Sequence, residues 1–114
     1  MTTNHTPGPW ETAGLRVMWG SYFVADCDGK GDIGRQDESR ANARLIAAAP
    51  DLLAALRLAL PHVLACAEMD DSLAARNDER GMHGNAAQCR KAADMRRAAA
   101  QMIADAIARA GGAA

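Results

Sequence analysis

Residues 45–67 read LIAAAPDLLAALRLALPHVLACA. The apolar positions Leu45, Ala49, Leu52, Leu53, Leu56, Leu60, Val63, Leu64 and Ala67 follow one another at steps of 4, 3, 1, 3, 4, 3, 1 and 3. That spacing keeps one face of an α-helix apolar for about five turns. Pro50 interrupts the stripe. Proline is tolerated in a first helical turn but costs ~3 kcal/mol in an interior. An unbroken stripe therefore predicts a kink or a very tight junction at Pro50, with Asp51 favourable near a helix N-terminus. Upstream, Asp37 or Ser39 is placed to cap the start. Pro61 is expected to bend or fray the later turns. This defines a first long helical segment over residues 37–68.

Downstream, residues 69–85 are polar, with Asp70-Asp71, Asn77-Asp78-Glu79-Arg80 and Gly81-Met82-His83-Gly84. They read as a connection with a short helical turn around Leu73–Ala75. Asn85 then caps a last helix over 86–110. Its apolar stripe is Met95, Ala99, Met102, Ile103, Ala106, Ile107 and Ala110. Its polar stripe is Arg90, Asp94, Arg97, Gln101, Asp105 and Arg109, and Gly111-Gly112 ends it. Short connections favour antiparallel neighbours, so the two helical segments are expected to form a hairpin.

Toward the N-terminus the period changes from 3.6 to 2. Pro7-Gly8-Pro9 is a corner. Leu15, Val17 and Trp19 then share one strand face, with Arg16 and Met18 on the other. Gly14 and Gly20-Ser21 supply turns, and Tyr22, Phe23 and Val24 are β-formers. Residues 1–36 thus predict an antiparallel β-meander of two to three strands, closed by the turn chemistry of residues 26–32. So small a sheet needs cover. The expected fold is α+β: one domain, residues 1–114, with the meander packed on a C-terminal antiparallel helical hairpin.

Composition limits what such a chain does. Of its 114 residues 49% are apolar, but 27 are Ala and only 4% are aromatic. This is too apolar for a disordered chain and lacks the signatures of collagen and disulfide scaffolds. It also makes a thin core, which favours self-association. The 13 basic and 14 acidic side chains give a net charge of −1, without the basic excess of a nonspecific nucleic-acid binder. Eleven of the bases are Arg, and an Arg and Ala bias also fits a GC-rich genome. Cys27, Cys66 and Cys89 are odd in number and widely spaced, which argues for a reducing cytoplasm. The N-terminus has no signal-peptide pattern. Asp51, Arg57 and His62 make the 45–67 run a costly membrane span, and no membrane association is expected.

Few constellations suggest chemistry. His62 and Cys66 stand one helical turn apart, and His83 and Cys89 follow, but the CxxC knuckles of structural zinc sites are missing. No metal site and no cofactor are expected. Asp26, Asp28 and Asp32 resemble a calcium loop that lacks its terminal Glu and flanking helices. Neither a nucleophile elbow nor a Walker loop occurs, so no catalytic residues are assigned. The candidate ligand-binding set is Trp10, Arg40, Asn42 and Arg44. Two guanidiniums four residues apart at a helix start suit a phosphate or carboxylate, and Trp10 suits ring stacking. The competing reading pairs the arginines with Asp37, Glu38 or Asp51 and places Trp10 and Trp19 in the core.

Two stretches, His5-Thr6-Pro7-Gly8-Pro9-Trp10 and the run from Glu38 through Ala41-Asn42-Ala43-Arg44-Leu45-Ile46-Ala47-Ala48-Ala49-Pro50-Asp51-Leu52-Leu53, resemble a group of small accessory proteins of tailed bacteriophages and prophages. The ending Ala104-Asp105-Ala106-Ile107-Ala108-Arg109-Ala110-Gly111 is similar to that group's last helix. The resemblance implies an accessory gene working in host cytoplasm, and carries over no catalytic residues. Accessory phage proteins of this size mostly act by binding. The expectation is therefore a noncatalytic, self-associating antagonist of a host antiviral defence. Its partner would be a defence protein or a small anionic nucleotide signal. Arg90, Lys91, Arg96 and Arg97 support the alternative of a nucleic-acid-associated regulator, against which Asp94 and Asp105 count. A small metal protein or hydrolase is the remaining alternative.

Overall fold

A computed structural model describes residues 5–28 and 35–111. The element order is β1 (Glu11–Ala13), β2 (Arg16–Trp19), β3 (Tyr22–Asp26), α1 (Gln36–Ala47), α2 (Ala49–Glu79) and α3 (His83–Arg109). This is the α+β arrangement expected, with three strands in the meander. The chain falls into two compact units, Met1–Ala54 and Ala55–Ala114.

In the first unit the sheet order is β1-β2-β3, antiparallel throughout. Both turns have two central residues. Ala13 pairs with Arg16 around Gly14-Leu15, and Trp19 pairs with Tyr22 around Gly20-Ser21. Gly14 has φ +64° and Gly20 φ +59°, while Leu15 and Ser21 stay at negative φ. Positive φ at the first central position alone is the II′ pattern, which matches strand twist and calls for Gly there. The register shifts after Val17, so that Val17 faces Ala25 while Met18 faces Phe23. Val24 is the extra residue of a bulge. α1 packs against all three strands, with Val17 and Ala43 fully buried and Leu53 nearly so. The N-terminal corner seats against the start of α2. A Cβ placed on Gly8 would stand 2.8 Å from Pro50 Cβ, closer than real side chains approach. The N-terminal and central stretches that carry the phage resemblance therefore touch each other.

The junction at Pro50 is tight, a single residue long. Ala48 is right-handed (φ −78°, ψ −10°) and its N–H donates to Arg44 O, while its own carbonyl accepts from Leu52 N–H. Pro50 falls in the first turn of α2, where its missing N–H costs nothing. The start of α1 differs from expectation. Arg35 holds the N-cap and no side chain caps the helix. Asp37 and Glu38 instead lie in the first turn, where the helix dipole favours them.

The larger correction concerns residues 69–85. They are not a connection: α2 continues through Pro61 to Glu79, and α3 begins at His83. Gly81 at φ +76° ends α2 in a Schellman arrangement. Met82 N–H donates to Asn77 O and Gly81 N–H to Asp78 O. Met82, not Asn85, takes the N-cap of α3, again without a side-chain cap. The link between antiparallel α2 and α3 is thus Arg80–Met82. The acidic residues that suggested a loop lie within α2 and pair across the hairpin. Asp70 binds Arg96, Asp71 binds Arg97, and Asp78 binds both Arg90 and His83.

Those pairs accompany a rotation of α3 that differs from the expected apolar stripe, of which only Ile107 is buried. The buried line of α3 is Ala86, Ala93, Ala100 and Ile107, each seven residues from the last, against Ala67 and Ala74 of α2. Met95 and Met102 are 65% and 74% exposed. Alanine at the seam lets the backbones approach closely. The methionines stay outside.

Candidate functional site

Of the four residues singled out from sequence, Trp10, Arg40 and Arg44 each have partners within their own segment. The Trp10 indole N–H donates to Thr6 O at 3.2 Å and to Pro7 O at 3.0 Å, with His5 packed edge-on at 6.4 Å. The ring is half-buried and closes its own corner. Arg40 reaches Asp37 at 3.7 Å, and Arg44 Nε donates to Arg40 O at 3.4 Å. The two arginines share one face of α1. Asn42, two residues on from Arg40, points about 200° away from it. Residues 29–34, including Asp32 of the calcium-like turn, lie outside the described residues. Asp26 and Asp28 there form an Asx turn, Asp28 N–H donating to Asp26 Oδ1 at 2.9 Å.

Among the described residues no three metal-ligating side chains converge. His62 and Cys66 are exposed on α2. Cys89 accepts a weak bond from buried Asn77 at 3.9 Å, and His83 Nδ1 lies 2.7 Å from Asp78 Oδ1. Arg90, and secondly His83, hold the Asp78 carboxyl below its ordinary value. A lowered carboxyl stabilises the fold above its unfolded value near pH 4 and loses that contribution as pH falls through the folded value. Asp78→Asn is therefore expected to melt lower than the unsubstituted chain at pH 6, with the gap closing below about pH 4. Paired thermal melts across that range check it; a gap that is constant with pH contradicts it.

What sequence reasoning missed is where the aromatic rings go. The chain has two Trp, one Tyr and one Phe. Three of these four stand at the tip of the β2–β3 hairpin, with Trp19 37%, Tyr22 68% and Phe23 66% exposed. Trp19, expected in the core, stacks on Tyr22 across the turn with centroids 5.9 Å apart. On the other face the Arg16 guanidinium lies 5.2 Å over Phe23 and 3.5 Å from Asp26. The signal was present in the register. Gly20-Ser21 as a two-residue turn makes Trp19 and Tyr22 a direct cross-strand pair at the sheet's end.

Across its full length, residues 1–114, the chain matches the family model described as Salmonella phage P22 protein Y8K6. The chain belongs to that family. No curated protein and no solved structure matches it. Membership in the Y8K6 family gives the chain the phage origin that its terminal and central stretches suggested.

The remaining surface feature is α2 itself. By length and composition alone it is apolar enough to cross a membrane, with a mean hydropathy of 1.5 over a window that is 11% buried. Leu58 and Met69 are among its most exposed residues, at 71% and 70%. A shallow groove of about 530 Å³ runs beside Ala65, Met69 and Leu73 between Glu68 and Arg76.

Proposed function

We propose that this Y8K6-family chain is a noncatalytic phage accessory protein that binds a host protein through the β2–β3 tip and so antagonises a host antiviral defence. The observation that carries this reading is the exposed hairpin tip, with Trp19 stacked on Tyr22 on one face and Phe23 under the Arg16 guanidinium on the other. A chain so short of rings gains stability by burying them, because each buries 150–250 Å². Exposing three of four is a cost to the fold that a partner repays. Trp, Tyr and Arg are also the residues that dominate protein interfaces. A protein partner is favoured over a nucleotide signal, because Trp10 and Arg40 are engaged within their own segments. The first 38 residues hold six acids and three bases, which disfavours nucleic acid at this tip. The defence target rests on the phage origin, by analogy with other accessory proteins of this size.

The test is a triple substitution, Trp19→Ser, Tyr22→Ser and Phe23→Ser, with far-UV circular dichroism as the folding control. Expressed in defence-bearing cells during infection, the unsubstituted protein should raise phage yield and retain a stoichiometric host protein. The triple variant should lose capture at least about thirtyfold, as a hot-spot loss of 2 kcal/mol implies. Undiminished capture and phage yield would overturn the tip as the binding surface. Heat on titration with a cyclic nucleotide, abolished by Arg40→Ala with Arg44→Ala, would replace it with nucleotide sequestration.

A further inference from the structure

The α2–α3 hairpin has two unlike sides. One carries the polar set Asp71, Asp78, Arg90, Asp94, Arg97 and Gln101. The other presents Ala59, Cys66 and Leu73 on α2 beside Ala92, Ala99 and Ala106 on α3, two more lines at steps of seven. Leu73 is 44% exposed there, and Cys66, Ala99 and Ala106 are exposed. The ion pair of Asp70 with Arg96 sits near the middle of the face. We infer that a second copy of this chain covers this face, making an antiparallel four-helix bundle whose twofold axis runs along the helices.

Charge and register select that occupant and that axis. An axis along the bundle lays α2 over the partner's α3 with the antiparallel register it already has with its own α3. Asp70 then opposes the partner's Arg96, and Arg96 the partner's Asp70. The same rotation sets Leu73 against the partner's Ala92, Cys66 against the partner's Ala99 and Ala59 against the partner's Ala106, so each larger side chain meets a methyl. The other face-to-face twofold, with its axis across the helices, stacks α2 on α2 and brings the two Asp70 carboxylates near each other at the centre. Like charges at the centre of an interface reject that alternative. Size agrees as well. α3 has 27 residues, about 40 Å of helix at 1.5 Å per residue. Two helices side by side are roughly 18 Å wide. The resulting footprint, on the order of 700 Å², approaches the ~800 Å² per partner of a stable interface.

The surface lies wholly in the second unit, so its failure leaves the β2–β3 tip untouched. Native mass spectrometry of the full chain at micromolar concentration should give twice 12.0 kDa. Ala99→Glu, an exposed site with no packing role in one copy, should shift the protein to monomer and weaken association at least about a hundredfold by burying an unpaired charge. Under mild oxidation, Ala99→Cys should form covalent dimers through Cys66, and adding Cys66→Ser should abolish them. Monomer at all concentrations, or self-association unaffected by Ala99→Glu, would overturn the proposal. Ready Cys66–Cys66 crosslinking in the unsubstituted chain would overturn the axis. Monomers that float with phosphatidylcholine vesicles would show a lipid surface in place of a second copy.

Discussion

Leucine in place of Ala93 will destabilise the helical hairpin by about 2–3 kcal/mol, the upper range for overpacking a tight site. Ala93 is fully buried and stands between Ala86 and Ala100 on the seam. Three added carbons have no cavity to enter, so α2 and α3 must move apart. Separation also weakens Asp70–Arg96 and Asp71–Arg97, which lie on either side of Ala93's neighbours. These pairs are partly exposed and contribute little individually; the steric cost dominates. A sequence-based stripe built on Met95 and Met102 predicts the reverse, since leucine would then join the edge of an apolar face. Urea titration followed by circular dichroism decides between them. A neutral or stabilising Ala93→Leu would mean that the alanines do not face α2.

The second large effect is a contrast between neighbours on α3. Ile107→Ala removes the larger of the two biggest fully buried side chains in the structure and should cost about 2–5 kcal/mol, through lost burial and the cavity left behind. Met102→Ala removes a side chain of similar size that is 74% exposed, and should change stability by less than about 0.5 kcal/mol. The two positions lie five residues apart, on nearly opposite faces of the helix. Equal losses at both would show that α3 is rotated from the described arrangement.

The parts of the fold legible in the sequence were those with a backbone cause. Gly14 and Gly20 announce turns because only glycine takes positive φ cheaply. Pro50 announces a helix start because proline lacks an N–H. What stayed hidden depended on partners remote in sequence. Asp70, Asp71 and Asp78 look like loop residues until α3 places Arg96, Arg97 and Arg90 beside them. With 27 alanines, a line at steps of seven has no contrast against its background, so the larger Met95 and Met102 drew the stripe to the wrong side. Hydrophobic size, a sound guide where cores hold Leu and Ile, misleads where helices meet on methyl groups. The candidate site fared similarly. Trp10 and Arg40 were noticed for what such groups can bind, yet each is engaged by its own segment. The Trp19–Tyr22 stack was visible only through the turn that pairs them.

α3 turns its alanines toward α2 and its methionines away. Disulfide trapping within one chain, with Cys66 and Cys89 replaced by Ser, distinguishes this rotation from its reverse. The cross-helix pairs put Ala74 level with Ala93 on the seam. Ala74→Cys with Ala93→Cys should close an intramolecular bond under mild oxidation, and Ala74→Cys with Met95→Cys should not, because Met95 points away from α2. Closure with Met95→Cys and none with Ala93→Cys would contradict the account.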